Sequence, residues 1–410
     1  MFKPYRLALA SLCIYRNILQ DPLLQSLVQV LEQGIKEPDS IPTRDAYYEF
    51  LYRIFQNGMS FQNHLIDLIR YDDNPFSRAC ELTDIDNIDP VLLAATRQDL
   101  RNLHFIYKLD FRLLEQQLGI AEPVLNQVQY APGSLAVQLD QAKDWSKQIE
   151  TIAGYHRGHS RGLIAQYCAL NFSFPVGLLG IKNPDLPELD DLIGCSRQKE
   201  LLCHNTEIFL KGHPANNVLL YGPRGTGKST MIKALLNKYP DQALRLIQLD
   251  REQIDYLPEL MAVLVGYNVK FIIFIDDLSF EEHETQYKAL KAVLEGGLIS
   301  QPDNVLIYAT SNRRHLVREY FSDRGKMGEE VHGMDTLQEK LSLADRFGLC
   351  ISFETPDKKT YLQIVEHLAQ KNELHLDTEL LHQQALQWER SRHGPSGRAA
   401  RQFIASLDRD

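Results

Sequence analysis

The chain has 410 residues, a length that fits two or three domains. Apolar residues make up 44% and charged residues 24%, proportions that suit the packed cores of a soluble protein. With 44 basic against 54 acidic residues the net charge is −10, which argues against a polyanion binder as a whole and leaves room only for local basic patches.

Six scattered cysteines, with no C-x-x-C pair, predict reduced and mostly buried thiols in the cytoplasm rather than a disulfide framework or a zinc site. The start, Met1–Arg16, carries Lys3, Arg6 and the short apolar run Leu7–Ile14, and reads as a helix rather than an export signal. No apolar run approaches the roughly 18 residues of a membrane span.

Residues 1–185 read as an all-α accessory domain. Leu24, Leu27, Val28 and Leu31 recur at helical spacing, as do Phe61, Leu65, Leu68 and Ile69, and such stripes face a common core. Breaks rich in Pro, Gly, Asn and Asp fall at Glu37–Thr43, Asp72–Pro75 and Ala131–Ser134. The acidic stretch Glu81–Asp89 reads as a solvated loop or helix start. Tyr155–Leu170, with His156, Arg157, His159 and Arg161, reads as a solvated helix face, with a basic functional patch as the alternative. Asn183–Leu189, with two prolines, is the expected linker.

The next stretch, Leu189–Gly212, leads into a helix, and Leu192 and Ile193 at its start are placed to pack on a base or simply on the core. The strongest signal follows. Gly222-Pro223-Arg224-Gly225-Thr226-Gly227-Lys228-Ser229-Thr230 carries the full spacing G-x-x-x-x-G-K-S of a phosphate-binding loop. Apolar Val218–Tyr221 before it predict a strand, and Met231–Leu236 after it a helix. Glycines let the backbone turn tightly so that its N–H groups face phosphate oxygens, and the start of a helix adds positive potential. Lys228 is expected on the β- and γ-phosphates and the Ser229 hydroxyl on Mg²⁺.

Leu244–Leu249 predicts a second strand and Ile254–Leu264 a helix. Lys270–Leu278 then carries a six-residue apolar run that fits a strand buried on both faces of a parallel sheet. It ends in Asp276 and Asp277, at the edge where open α/β sheets bind ligands. Asp276 is expected to hold Mg²⁺ and Asp277 to orient or deprotonate the attacking water. Tyr287–Glu295 predicts a helix and Asn304–Thr310 a strand, with Asn312, then Thr310, as the polar group that reaches between the carboxylates and the γ-phosphate. Arg318–Lys340 reads as an exposed excursion. Leu349–Phe353 predicts a final strand, with Arg346 just before it, where a lone arginine can also be a structural salt-bridge partner. From Thr355 onward the pattern is helical: Tyr361, Ile364, Val365 and Leu368 form one stripe, Leu380–Trp388 a second helix, and Gly394-Pro-Ser-Gly-Arg398 opens a third. Arg398 opposes the dipole of that helix, a placement to which a nearby phosphate would give a purpose.

Taken together, Leu189–Leu407 resembles the AAA+ ATPases. The resemblance implies an α/β fold, a Rossmann-like αβα P-loop core with a parallel sheet in which the P-loop strand is central, over residues 186–354. A small helical lid over 355–410 would follow. Position by position, it makes Asp276–Asp277 the Walker B pair, Asn312 sensor 1, Arg398 sensor 2, and Arg346, within Asp345-Arg346-Phe347, the arginine finger supplied to a neighbouring copy in a homo-oligomer. Glu339–Leu349, E-K-L-S-L-A-D-R-F-G-L, is similar to a prokaryotic family of predicted P-loop ATPases that pair a helical N-terminal region with one AAA+ module. One departure stands out: the usual Asp-Glu pair is Asp-Asp here, and the shorter side chain predicts slow hydrolysis unless water bridges the gap. Glu281 and Glu282 follow closely but fall past the strand end.

The expected function is that of an ATPase using ATP and Mg²⁺ to remodel an unidentified protein or nucleic-acid client. The alternative is a slow or non-hydrolysing switch or loader acting on DNA, with Arg313, Arg314, His315 and Arg318 as a local contact. A weaker third reading is a scaffold whose helical half does the work.

Overall fold

The computed structural model describes residues 2–120, 125, 134–240, 243–280, 286–295, 301–312, 343–374, 376–391 and 394–407. They divide into two units, Met1–Gln166 and Tyr167–Asp410.

The first unit is helical because its apolar residues recur on one face of each segment. Its helices are α1 (Phe2–Ala10), α2 (Pro22–Lys36), α3 (Ile41–Asn57), α4 (Phe61–Tyr71), α5 (Pro75–Leu82), α6 (Pro90–Tyr107), α7 (Phe111–Gln117), α8 (Ser134–Gln141), α9 (Ile149–His159) and α10 (Gly162–Gln166). Leu24, Leu27 and Leu31 of α2 and Phe61, Leu65 and Ile69 of α4 are fully buried, as their spacing predicts, while Val28 and Leu68 sit at the margin of the same core. Carboxylates set the chain entries. Asp21 caps α2, accepting from the N–H groups of Leu23 and Leu24 at 3.0 Å. Asp99 of α6 accepts from three successive N–H groups, those of Cys13, Ile14 and Tyr15, at 2.7–3.1 Å.

Two expectations hold only in part in this unit: Arg157, His159 and most of Leu82–Asp89 are exposed, but three other polar side chains are not. His156 is fully buried in α9, and Arg161 is 7% exposed. Glu81, placed by its acidic neighbours in a solvated stretch, is also buried. Arg161 donates to Glu81 and to Asp73, and the Ser160 hydroxyl donates to Glu81. A charge at either position is tolerated in the interior only because the other neutralises it. Among the described residues no carboxylate satisfies His156; its ring packs against Phe76 and Tyr155, and burial holds its pKa down to about 4.

The second unit is built on a seven-stranded sheet: β1 (Ala169–Ser173), β2 (Gly177–Gly180), β3 (Val218–Tyr221), β4 (Leu244–Leu249), β5 (Lys270–Ile275), β6 (Val305–Ser311) and β7 (Leu349–Ser352). Their spatial order is β2-β1-β4-β5-β6-β3-β7, parallel throughout except for the β1–β2 hairpin. Helices α11 (Ser196–Leu210), α12 (Lys228–Lys238), α13 (Leu257–Leu264) and α14 (Gln286–Leu294) accompany it. Phe271–Ile275 of β5 and Val305–Ser311 of β6 are buried throughout, as strands covered on both faces must be. Behind the sheet, Asn205 and Thr206 of α11 hydrogen-bond the hydroxyl of Tyr308 at 3.1 and 2.9 Å.

The boundary expected at 185/186 is therefore wrong. Residues 169–180 are not helical; they form a hairpin whose first strand pairs with β4, Leu170 opposite Ile247. Alternation of Leu170 and Phe172 into the core holds it there. Asn183–Leu189 lies within the second unit and does not separate the two. The P-loop strand β3 is not central either. It has neighbours on both sides but stands next to the edge strand β7.

The C-terminal lid consists of α15 (Lys358–Lys371), α16 (Thr378–Arg390) and α17 (Gly397–Ser406). Tyr361, Val365, Ala385, Ala400 and Phe403 form its small core, against which Ile193 also packs. Ser396 caps α17 by accepting from the N–H of Ala399 at 3.1 Å. Arg313, Arg314, His315, Arg318, the Arg318–Lys340 excursion, Glu281 and Glu282 lie outside the described residues.

Candidate functional site

The strand order decides which side chains meet. Strands β5, β6 and β3 are neighbours, so the loops leaving their C-terminal ends share one edge. From β3 the chain enters the P-loop and α12. At Gly222, with φ at +143°, a Cβ would lie 2.1 Å from the Phe353 carbonyl oxygen, so only glycine lets the loop leave beside β7. At Gly227, φ is +96° and a Cβ would meet Leu192 at 2.8 Å. Leu192 thus closes on the loop from the side.

Lys228 opens α12 and is 6% exposed. Its ammonium folds back onto the loop, donating to the carbonyls of Gly222 and Pro223 at 2.7 Å each and to Asn312 Oδ1 at 3.3 Å. Burial lowers its pKa from the ordinary lysine value, against the opposing pull of Asp277 and Asp276. Ser229, the next residue, donates to Asp276 Oδ1 at 2.6 Å.

From β5 come the two carboxylates. The Thr310 hydroxyl, at the end of β6, donates to Asp276 Oδ1 at 2.5 Å and accepts from the N–H of Asp277 at 2.9 Å. Asp277 has a φ of +50°, and the Leu278 N–H returns to the Thr310 carbonyl at 2.7 Å. That turn leaves the Asp277 side chain facing the P-loop. Asn312 donates to Asp277 Oδ1, and Arg224 stands 3.6 Å from its other oxygen. Lys228, Ser229, Asp276, Asp277, Thr310 and Asn312 therefore form one connected set, with Asn312 joining Lys228 to Asp277. Thr310, the second choice for this strand end, touches the Asp276 carboxylate and the Asp277 backbone N–H.

Two cavities adjoin the P-loop. One, of about 630 Å³, is lined by the P-loop, Asp276, Asp277, Thr310 and Asn312, with Lys233, Arg398, Arg401 and Gln402. The other, of about 730 Å³, is lined by Leu192, Ile193, Gly194 and Cys195 on one side and by lid residues including Ile364 and Leu368 on the other. Its polar rim holds an ion-paired group: Asp191 accepts from Lys371 at 2.7 Å and lies 3.3 Å from His367 Nε2. Lid and loop also meet through the backbone, where the Arg398 N–H donates to the Gly225 carbonyl at 3.3 Å.

The donors suit a nucleotide with its cation. Ser229 and Asp276 present hard oxygens side by side, the kind Mg²⁺ takes together with phosphate oxygens. Among the described residues no group of three His, Cys, Asp or Glu stands ready to hold a metal alone. The cradle behind Gly222 would be filled by any side chain. Of the expected site residues, Gly222–Thr230, Asp276, Asp277, Asn312 and Arg398 come together, and Leu192 and Ile193 line the adjoining cavity. Arg346 does not join them; it is ion-paired with Glu295, just past α14. Lys233 and Arg401 were missed, although Arg401 follows Arg398 by three residues and so shares its helix face.

A parallel sheet with this strand order, a P-loop between β3 and α12, paired acids at the end of β5, a polar strand end on β6 and a three-helix lid define the AAA+ class of P-loop proteins. Residues 165–409 match the family described as "Protein of unknown function (DUF815)", and the chain belongs to it. The match, from residue 165, begins just ahead of the second unit, which starts at Tyr167. A segment of 73 residues is 37% identical to the Replication factor C large subunit of Methanococcus vannielii, covering 18% of this chain and 15% of that relative's length. The Aeropyrum pernix ORC1 protein in complex with DNA overlays 54% of this chain and 61% of its own, at 17% identity and a TM-score of 0.40. The Thermotoga maritima RuvB Holliday junction branch migration motor overlays 53% of this chain and 63% of its own, at 16% identity and a TM-score of 0.36. Among the described residues no helix is long and apolar enough to cross a membrane.

Proposed function

We propose that the second unit binds ATP with Mg²⁺ and hydrolyses it slowly, using the cycle to move lid against core and remodel a macromolecular partner. The observation that carries this reading is the connected set Lys228–Asn312–Asp277 and Ser229–Asp276–Thr310 beside the P-loop.

Lys228 would exchange its two loop carbonyls for β- and γ-phosphate oxygens. Ser229 and Asp276 would hold Mg²⁺, which supplies charge neutralisation along the phosphates. Thr310 keeps the Asp276 carboxylate aimed at Ser229. Asp277 would take the proton as a water oxygen bonds to the γ-phosphorus and the bond to the ADP oxygen breaks. Asn312 holds Asp277 by one oxygen, which leaves the other for the water once Arg224 turns away. Arg398 would bring a positive charge from the lid as the γ-phosphate arrives, and Leu192 and Ile193 would pack on the base.

A second reading, an ATP-dependent switch with incidental turnover, is favoured by two observations. Asp277 is one methylene shorter than the usual glutamate and already engaged. Arg346, the finger expected in trans, is bound to Glu295 of its own chain. A homo-oligomer would have to draw it away.

The ATPase rate measured against protein concentration separates the readings. Specific activity that rises with concentration, and is lost in Arg346→Ala, supports a finger acting between copies. Flat, negligible turnover with intact ATP binding supports the switch. Asp277→Asn is expected to bind ATP but not hydrolyse it, and an unchanged rate would remove Asp277 from the mechanism. Because one matched segment belongs to a protein named as a replication factor, the same assay is run with and without single- and double-stranded DNA.

A further inference from the structure

The two cavities are not independent. Gly225, Thr226, Gly227, Thr230 and Arg401 line both of them. A nucleotide with its base beside Leu192 and Ile193 and its terminal phosphates beside Lys228 must cross this shared segment with its ribose and α-phosphate. Among the described residues Arg401 is the one charged side chain there.

Its position follows from the lid. Ala399, Ala400, Phe403 and Ile404 are buried against α15 and α16, which fixes the roll of α17 and turns residues 398 and 401 outward toward the P-loop. The Ser396 cap and the Arg398–Gly225 backbone bond set where the helix begins. Arg398 lines only the phosphate cavity, whereas Arg401, one turn on, reaches the junction. Among the described residues no carboxylate lies within ion-pair distance of either arginine. A guanidinium is an always-charged, five-donor group suited to phosphate.

We propose that Arg401 binds the α-phosphate and ribose end of the nucleotide, tying the lid to diphosphate and triphosphate alike, while Arg398 distinguishes the two. The inference rests on the nucleotide reading above and adds a division of labour between two arginines of one helix.

Equilibrium titration of the whole chain with mant-ADP and with mant-ATP tests it. Arg401→Ala is expected to weaken both by the same factor, about tenfold, the loss of one charge-assisted hydrogen bond. Arg398→Ala is expected to weaken mant-ATP several-fold more than mant-ADP. Arg401→Lys keeps the charge and should recover part of the loss for both ligands, which a merely structural defect would not show. Wild-type binding with an unaffected Arg401→Ala variant overturns this inference alone, as does a loss confined to mant-ATP. A wild-type chain that binds neither nucleotide overturns the nucleotide reading and this inference together.

Discussion

Thr310→Val removes one hydroxyl at the point where three strands deliver their functional groups. Thr310 is 1% exposed, and valine has nearly its shape, so the core around β6 stays filled. Two interactions go. The Asp277 N–H loses its acceptor at 2.9 Å in a half-buried turn, and Asp276 loses the donor at 2.5 Å while keeping Ser229. An orphaned N–H costs about 1–3 kcal/mol. Asp276 faces an open cavity and regains solvent, so its share is smaller, and the expected sum is roughly 2–3 kcal/mol. For a unit of this size each kcal/mol lowers the melting temperature by about 2–4 °C, which gives a drop of roughly 4–12 °C. Calorimetry of the whole chain reads it. Thr310→Ser keeps the hydroxyl and loses only a methyl, about 0.8 kcal/mol, so it should melt well above the valine variant. Equal melting of the two variants would mean that the hydroxyl does not bridge Asp276 and the Asp277 turn.

Burial holds His156 to about 4, below its unfolded value near 6.5, so it stays neutral in the folded first unit while the unfolded chain takes up a proton. Its contribution to stability is therefore complete above pH 6.5 and is lost as pH falls toward 4, by about 2 kcal/mol at pH 5. Burial pushes the Asp72 carboxyl up to about 6, an effect of opposite sign over much of the same range. The test is accordingly a comparison: His156→Phe should lose about 2 kcal/mol less than wild type between pH 7.5 and pH 5 in urea unfolding, and parallel pH profiles would refute it. At the rim of the base cavity, Asp191→Asn breaks the partly exposed pairing with Lys371 and His367. Surface pairs contribute up to about 1 kcal/mol, so mant-nucleotide release by stopped flow should quicken by about two- to fivefold, more at low salt than at high. An unchanged release rate would mean that this contact does not hold the lid.

Local signals carried most of the site. The P-loop announced itself because its chemistry demands glycines and a lysine at fixed intervals between a strand and a helix. The acids after Lys270–Ile275 stood out because a wholly apolar run can end in two carboxylates only where the chain reaches the sheet's edge. What escaped was set by distance along the chain. Arg161 and Glu81 lie 80 residues apart, and composition alone made each look solvated. Residues 169–180 carry alternating Leu170 and Phe172, yet so short a hairpin beside the prolines of Asn183–Leu189 reads as the tail of a helical region. Glu295 could not be foreseen as the partner of Arg346, since the two meet only once β7 has taken the sheet's edge. Arg401 was within reach of helical periodicity, but its significance depends on two cavities that meet at the lid.

The most direct measurement is a titration of the whole chain with mant-ATP, with and without Mg²⁺, for wild type and Lys228→Ala. Saturable binding that strengthens with Mg²⁺ and weakens at least about a hundredfold in the variant is the expected result, since several charge-assisted bonds to phosphate are removed at once. Equal binding by both proteins, or none by wild type, would contradict the assignment of this cavity to a nucleoside triphosphate.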